Sequence, residues 1–287
     1  MFQLAYYEPQ TLKEALQMDG VKKGTGKFLA GGTDLLVQIK RRKIEPQELI
    51  NLKAIPELKG VQETGDGGIR IGAAVTVKGI MESSLILAGY PAMAQAAKEL
   101  GTPQVRNRAT IGGNIVNASP AADLVGPLLV YDAILLLTSE SVQRRVKIED
   151  FLLGPSQTAL GKEEVLEAIE LPALPAGTGA VYLKHGLRKT HEIALVGVSI
   201  ALRSDGQGVI EDCRIALTAV APKVIRAREA EDALKGCHLD DETLSRVAHI
   251  AEANCLPISD VRASADYRRQ MVGVLTKRGL LSLGGSN

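Results

Sequence analysis

Ala109-Thr110-Ile111-Gly112-Gly113-Asn114-Ile115-Val116-Asn117-Ala118-Ser119-Pro120-Ala121-Ala122-Asp123-Leu124 is the stretch on which the reading of this chain turns. Its paired glycines lack Cβ, so the backbone there is free to take positive φ and to let a ligand approach the main chain. Thr110, Asn114, Asn117 and Ser119 add uncharged donors suited to sugar hydroxyls and phosphate oxygens. Ser119 and Pro120 read as the N-cap and first turn of a helix whose apolar face covers residues 124–129. The expectation is a loop that grips something polar, followed by a buried helix that holds the loop still. A glycine-rich turn before a capped helix would account for the glycine pair alone; the run of polar residues favours the ligand.

A second glycine pair lies upstream. Residues 27–30 read as a short strand running through Leu29 and Ala30 into Gly31-Gly32-Thr33-Asp34, with a helix from Leu35 to about residue 39. The order strand, glycine pair, Thr or Asp cap, helix aims free backbone N–H groups at an anion. Taken alone, the segment fits an ordinary βα turn equally well. The basic run at 40–43 sits at the C-terminal end of that helix, where cations complement the helix dipole, and reads as a solvated helix end.

The chain has 287 residues, enough for about two domains with their own cores. With 45% hydrophobic and 23% charged residues it is globular, and 34 basic against 33 acidic side chains leave a net charge of only +1. That balance gives no electrostatic reason to expect nucleic acid or an anionic membrane, and the absence of Trp removes stacking platforms. No secretion signal is read at the start, and the most apolar segment, 124–137, contains Pro127 and Asp132 and is too short to span a bilayer. Cys213, Cys237 and Cys255 are widely spaced and form no CxxC pair, and His185, His191, His238 and His249 have no metal-ligand spacing. The cytoplasm is the expected compartment. Dinucleotide GxGxxG, phosphate-loop, GxSxG and HExxH motifs are all missing, so the hard chemistry is expected from a bound cofactor.

Along the chain, residues 2–7 read as a strand. Thr11 and Glu14 read as a capping box opening a helix to about residue 18. A strand at 48–52 completes a β-α-β-α-β lobe ending near Ile55-Pro56. Strands at 61–64 and 69–72 flank the hairpin signal Asp66-Gly67-Gly68, Thr76 caps a helix to Ser83, and Pro91 opens another through Leu100. Further strands are read at 134–138, 142–148 and 165–171, the last including Leu166, and the Pro/Gly-rich segment 172–179 is the linker. Beyond it, strands at 180–185, 193–203 and 209–221, with a hairpin at Asp205-Gly206, precede helices at 225–235, 242–254 and 263–281. This is an antiparallel sheet packed by helices, an α+β arrangement. Domains are therefore expected at 1–175, with subdomains about 1–56 and 57–175, and at 176–287.

Leu29-Ala30-Gly31-Gly32-Thr33-Asp34-Leu35 and Thr110-Ile111-Gly112-Gly113-Asn114, extended by Ala118-Ser119-Pro120-Ala121-Ala122-Asp123, strongly resemble the FAD-binding medium subunit of the molybdenum hydroxylases, the carbon monoxide and xanthine dehydrogenase family. The resemblance resumes at 184–196, with Arg188, Glu192-Ile193-Ala194 and Val196, and again at Asp260-Val261-Arg262-Ala263-Ser264-Ala265-Asp266-Tyr267-Arg268, so it covers essentially the whole chain. It implies an α+β fold with a PCMH-type FAD-binding domain of two α/β subdomains, as in vanillyl-alcohol oxidase, followed by a carbon monoxide dehydrogenase flavoprotein C-terminal-like domain. It also implies that the main chain of residues 30–35 holds the FAD diphosphate and that Thr110, Gly113 and Asn114 complete the pocket. Asp123 would accept from a ligand hydroxyl, Leu100 and Leu166 would line flavin and adenine, and Lys184 would stand near the flavin and stabilise its reduced, anionic form. No Cys or His occupies an evident flavin-linkage position, so noncovalent FAD is expected.

By the same resemblance the chain is one subunit of a complex, passing electrons from the [2Fe–2S] clusters of a small iron–sulfur subunit through FAD to NAD⁺, a quinone or oxygen. A large molybdopterin subunit would oxidise the substrate, and a heterohexamer built as a dimer of heterotrimers is expected. The competing readings are a stand-alone FAD oxidase or reductase of the vanillyl-alcohol oxidase fold, and a flavin-free scaffold subunit.

Overall fold

The computed structural model describes residues 4–188 and 192–284. The start of the first expected strand, residues 1–3, and His191 lie outside them.

Three larger sheets and one two-stranded ribbon are built along the described residues. β1 (Ala5–Tyr7), β2 (Gly26–Leu29) and β3 (Glu48–Asn51) form a parallel sheet in the order β1-β3-β2. The helices Leu12–Leu16 and Asp19–Lys22 bury Leu12, Ala15, Leu16 and Val21 against Ile50 and Leu52. Thr11 caps the first of them by accepting from the Glu14 N–H at 3.1 Å, and the Glu14 carboxylate accepts from Gln10 N–H, one residue ahead of the cap. The helix expected to about residue 18 ends at Leu16, and the helix Asp19–Lys22 that follows, with Met18 at its N-cap position and no side-chain capping bond, was not read from the sequence.

The second sheet contains β4 (Val61–Glu63), β5 (Ile69–Gly72), β6 (Ile134–Thr138) and β7 (Gln143–Lys147). After the two-stranded ribbon of β8 (Leu152–Gly154) and β9 (Gln157–Thr158), β10 (Val165–Leu171) enters its centre. The order is β4-β5-β10-β6-β7, antiparallel throughout. Strand alternation puts Ile69, Ile71, Leu135, Leu137, Ile169 and Leu171 on a face covered by helices. These are Val77–Glu82, Ser84–Gly89, Pro91–Glu99, Ile111–Val116 and Val125–Val130. Thr76 caps the first of them from its hydroxyl to Gly79 N–H at 3.1 Å. The helix Ser84–Gly89 was not read from the sequence.

The third sheet orders β11 (Gly179–His185), β12 (Val196–Ser204), β13 (Ile210–Thr218) and β14 (Ile225–Arg226) in sequence, all antiparallel. Both faces of this sheet are buried. Val196, Val198, Ile200 and Leu202 of β12 pack under the helices Asp241–Ala253 and Ala265–Gly284, while Tyr182, Ala201 and Ala216 join the core of the second sheet. The opposite face receives the helix Val125–Val130 so closely that a Cβ on Gly126 would lie 2.5 Å from Ser199 Oγ. The C-terminal end of that helix is met by two guanidinium groups. Arg226 and Arg214 donate to the carbonyls of Leu129 and Val130, and both pair with Asp132. This arrangement corrects the helix expected at 225–235. Arg226 is extended as β14, its guanidinium paired with Glu231, and the helix shortens to Arg228–Asp232.

Candidate functional site

β2 ends at buried Leu29 and the chain turns through Ala30, Gly31, Gly32, Thr33 and Asp34 into the helix Leu35–Lys40. Gly32 has φ +78°, a conformation that glycine adopts without steric cost. Gly31 is required for a different reason. A Cβ there would collide with the carbonyl of Arg108, because the loop rests directly on the backbone at 108–109. The first glycine pair is therefore seated against the entrance to the second. No backbone N–H from Gly31 to Leu35 donates to a partner among the described residues. Asp34 occupies the N-cap position without a side-chain capping bond, and the Thr33 hydroxyl meets only Asp34, at 3.4 Å. Buried backbone donors ordinarily find partners, and a partly shielded run of free ones is a cradle for oxygen atoms.

The second glycine pair departs from the expected loop. Thr110 is the N-cap of the helix Ile111–Val116, accepting from Gly113 N–H at 3.1 Å, and neither Gly112 nor Gly113 has positive φ. Ile111 N–H donates to Val75 O, Gly112 N–H to Ala73 O, and Asn114 N–H to Thr110 O. The glycines serve packing: a Cβ on Gly112 would lie 2.7 Å from the Ala73 carbonyl oxygen and Cβ. What remains open is the exposed edge at Gly113 and the Asn114 side chain, whose Oδ1 is buried without a partner among the described residues.

Ser119 is not the N-cap expected of it. Its hydroxyl accepts from Ala121 N–H at 3.3 Å within a turn, and the following helix begins only at Val125. The turn is sharp: Ala118 has φ +46° and its carbonyl accepts from Ser156 N–H. Asp123 then points into a buried polar group. Tyr182 Oη donates to its Oδ1 at 2.6 Å, and Lys184 Nζ stands 3.0 Å from Oδ1 and 3.1 Å from Oδ2. Tyr182 and Lys184 are two residues apart on β11 and so share a face. Lys184 also donates to the carbonyls of Glu99 and Glu192, which takes up its three donors. Burial pushes the Asp123 carboxyl up, against the opposing pull of the Lys184 charge and the Tyr182 hydroxyl. Burial first and the Asp123 charge second push the Tyr182 hydroxyl up as well.

With this geometry in place, the comparisons decide the family. The profile of the FAD binding domain in molybdopterin dehydrogenase matches residues 1–174, and that of the carbon monoxide dehydrogenase flavoprotein C-terminal domain matches 181–283. The chain belongs to this flavoprotein family. It is similar to the carbon monoxide dehydrogenase medium chain of Hydrogenophaga pseudoflava, with 36% identity over 96% of this chain and 95% of that one. It is also similar to the xanthine dehydrogenase FAD-binding subunit of Escherichia coli O157:H7, with 32% identity over 97% and 95%. Among solved structures, the carbon monoxide dehydrogenase of H. pseudoflava that lacks the Mo-pyranopterin moiety superposes with a TM-score of 0.93 and 36% identity, covering 98% of this chain and 97% of that one.

The chain is thus an oxidoreductase subunit of the molybdenum hydroxylase type, with FAD as its cofactor and the α+β fold expected of the family. The residues present fit that cofactor on two structural counts, the unpartnered N–H run from Gly31 to Leu35 and the orphaned buried Asn114 Oδ1. Leu100 is buried at the C-cap of the helix Pro91–Glu99, next to the Glu99 carbonyl that Lys184 grips. Leu166 is buried in β10 opposite Leu137, and the structure does not bring it into the polar group around Asp123. Sequence reasoning missed Tyr182, although its two-residue offset from Lys184 on a strand was a usable signal. It also missed Lys53, which donates to Ala30 O of the first loop. No helix among the described residues is long and apolar enough to cross a membrane.

Proposed function

We propose that this chain is the electron-transfer subunit of a cytoplasmic molybdenum hydroxylase, with noncovalent FAD held between the two glycine segments. Bound FAD supplies redox chemistry able to accept electrons singly and release them as a pair to NAD⁺, a quinone or oxygen. The electrons come from the [2Fe–2S] clusters of a small partner subunit, and substrate is oxidised on a large molybdopterin subunit, the whole forming a dimer of heterotrimers.

The chain's own residues bind and orient. The free N–H groups from Gly31 to Leu35 receive the diphosphate, with Leu29 and Ala30 leading into the cradle. Gly113 and Asn114 complete it from the edge that Thr110, Ile111 and Gly112 hold in place. Ala118 and Ser119 turn the chain so that Asp123 reaches a ligand hydroxyl. A carboxylate accepts about four hydrogen bonds, so capacity remains after Tyr182 and Lys184 are served. Lys184 acts through Asp123, since its donors are spent within the chain. Leu100 and Leu166 supply apolar lining. The division into a binding domain, 1–175, and a C-terminal domain, 176–287, falls in the segment 172–179.

The observation that carries this reading is the unpartnered N–H run at 31–35. Its test is the visible spectrum of the purified chain with acid release of the chromophore. An oxidised-flavin spectrum with FAD released is expected, with lower occupancy in Asn114→Ala. A colourless chain that takes up no added FAD would sink the proposal.

A further inference from the structure

Two cations belong to residues that touch the first glycine loop, and among the described residues neither forms an ion pair with a carboxylate. Lys53, in the short turn Leu52–Ala54 that follows β3, donates from Nζ to Ala30 O at 2.9 Å and to Asn51 Oδ1 at 2.6 Å. Asn51 is itself fixed, donating to Tyr6 Oη at 2.8 Å and Glu8 Oε1 at 2.9 Å, while Tyr6 donates to the same Glu8 oxygen at 2.7 Å. This relay holds Lys53 from behind, and one of its three N–H donors stays free. The backbone of Arg108 is the surface against which Gly31 packs, and the Arg108 guanidinium has no hydrogen bond or ion pair among the described residues. The two charges feel each other. Burial and then the Arg108 charge push the Lys53 ammonium down from the ordinary lysine range.

The Lys53 contact has a geometric consequence. The Ala30 carbonyl and the Gly31 N–H belong to one planar trans peptide and point in opposite directions. Fixing the carbonyl on Lys53 therefore turns the Gly31 N–H, the first of the free donors, to the opposite side of the loop. The Glu8 carboxylate behind the relay offsets part of the Lys53 charge, and Arg108 repels it, so an anion at the run of free donors would ease that repulsion.

We propose that Lys53 is a positioning residue that orients the Ala30–Gly31 peptide toward a diphosphate, and that Arg108 ion-pairs with that diphosphate once it is bound. The pair makes the loop selective for a diphosphate-bearing ligand over its uncharged nucleoside or flavin parts. This inference rests on the proposed seating of FAD at the first glycine loop.

The full chain, stripped of flavin, is titrated with FAD over a range of KCl concentrations, and with ADP and adenosine as competitors. Arg108→Gln is expected to weaken FAD about tenfold, the scale of one lost charge-assisted hydrogen bond. It should also flatten the salt dependence of binding, because one screened attraction is gone. Lys53→Met is expected to weaken FAD and ADP together, with Lys53→Arg recovering most of the affinity and the melting temperature of the flavin-free chain unchanged. A merely structural Lys53 would lower that melting temperature and leave the salt dependence as in the wild type. Wild-type FAD affinity and salt dependence in both variants, with the parent chain binding FAD, would overturn the inference and leave the proposed function standing. A parent chain that binds neither FAD nor ADP would overturn both.

Discussion

Gly31-Gly32 lead into the helix Leu35–Lys40 and Gly112-Gly113 form the first turn of the helix Ile111–Val116, each with a threonine close by, yet their backbones do opposite things. Around the first pair the N–H groups are free, one glycine is left-handed, and the helix that follows buries none of its residues. Around the second, the corresponding donors end on Val75, Ala73 and Thr110, and the helix Ile111–Val116 buries Ile111, Gly112 and Ile115. The first pair presents donors to a ligand. The second is a foundation, and its glycines let a helix sit on a neighbouring backbone. Similar spelling thus serves recognition in one place and packing in the other, and only the destination of the hydrogen bonds tells them apart.

The foundation extends past the helix to Asp123, and this is where the comparison predicts its largest effect. Lys184→Met leaves the buried Asp123 carboxyl with only Tyr182, and removing one partner of a buried pair costs about 3–5 kcal/mol. Asp123→Asn in the same chain should restore much of that loss by removing the stranded carboxyl. The pH dependence follows from the raised Asp123 pKa. Between its unfolded and folded pKa the native state binds more protons, so stability falls as pH rises through that window. In Lys184→Met the window widens upward, and the deficit against wild type should shrink in mild acid. Thermal melts across that range check this, and equal stability of variant and parent at neutral pH would refute it.

Next in size is the contrast between the glycines themselves. Gly112→Ala forces a methyl against Ala73, and overpacking of this kind costs about 1–3 kcal/mol, offset by roughly 1 kcal/mol of helix propensity. Its neighbour is the control, because a Cβ on Gly113 meets only Thr110 Oγ1, at 3.0 Å. Gly113→Ala should be near neutral in stability. Gly31→Ala forces a methyl against the Arg108 carbonyl oxygen, so it should cost stability on the same scale as Gly112→Ala, about 1–3 kcal/mol, and in addition drop FAD affinity by tenfold or more because the loop must leave the Arg108 backbone. If Gly31→Ala keeps the parent FAD affinity and Gly112→Ala loses flavin at unchanged stability, the roles assigned to the two segments are reversed.

What the sequence made legible follows the same division between local and non-local physics. The strands at 134–138 and 165–171 are where hydrophobic patterning placed them, residue for residue, and the hairpin at Asp66-Gly67-Gly68 joins β4 to β5. Caps on Thr76 and Thr11 were readable because they act within three residues. The span 225–235 misled because its helical composition gave no sign that Arg226 would be drawn into the ladder with Ala216 and onto Glu231. Ser119 misled because a Ser-Pro pair serves a turn as readily as a helix start. The Asp123–Lys184 pair, 61 residues apart, has no spacing to read, and only the family resemblance brought the two residues into one list. Nor does local sequence reveal that Gly112 meets Ala73, a contact between segments far apart in the chain.

The smallest and cleanest test compares the two threonines. Thr110 Oγ1 accepts from Gly113 N–H at 3.1 Å as an N-cap, is almost wholly buried, and its removal as Thr110→Ala should cost about 1 kcal/mol. Thr33 has only the long contact to Asp34, so Thr33→Ala should stay within about 0.5 kcal/mol of the parent. Flavin binding should order the pair differently. Thr33 sits among the free donors of the first cradle, so its loss is expected to weaken FAD with no change in the melting temperature of the flavin-free chain. Thr110→Ala should weaken FAD only in proportion to its loss of stability, because its hydroxyl is committed to the helix. Equal shifts in stability for both variants, with FAD affinity unchanged by Thr33→Ala, would show that the first segment is an ordinary βα turn after all.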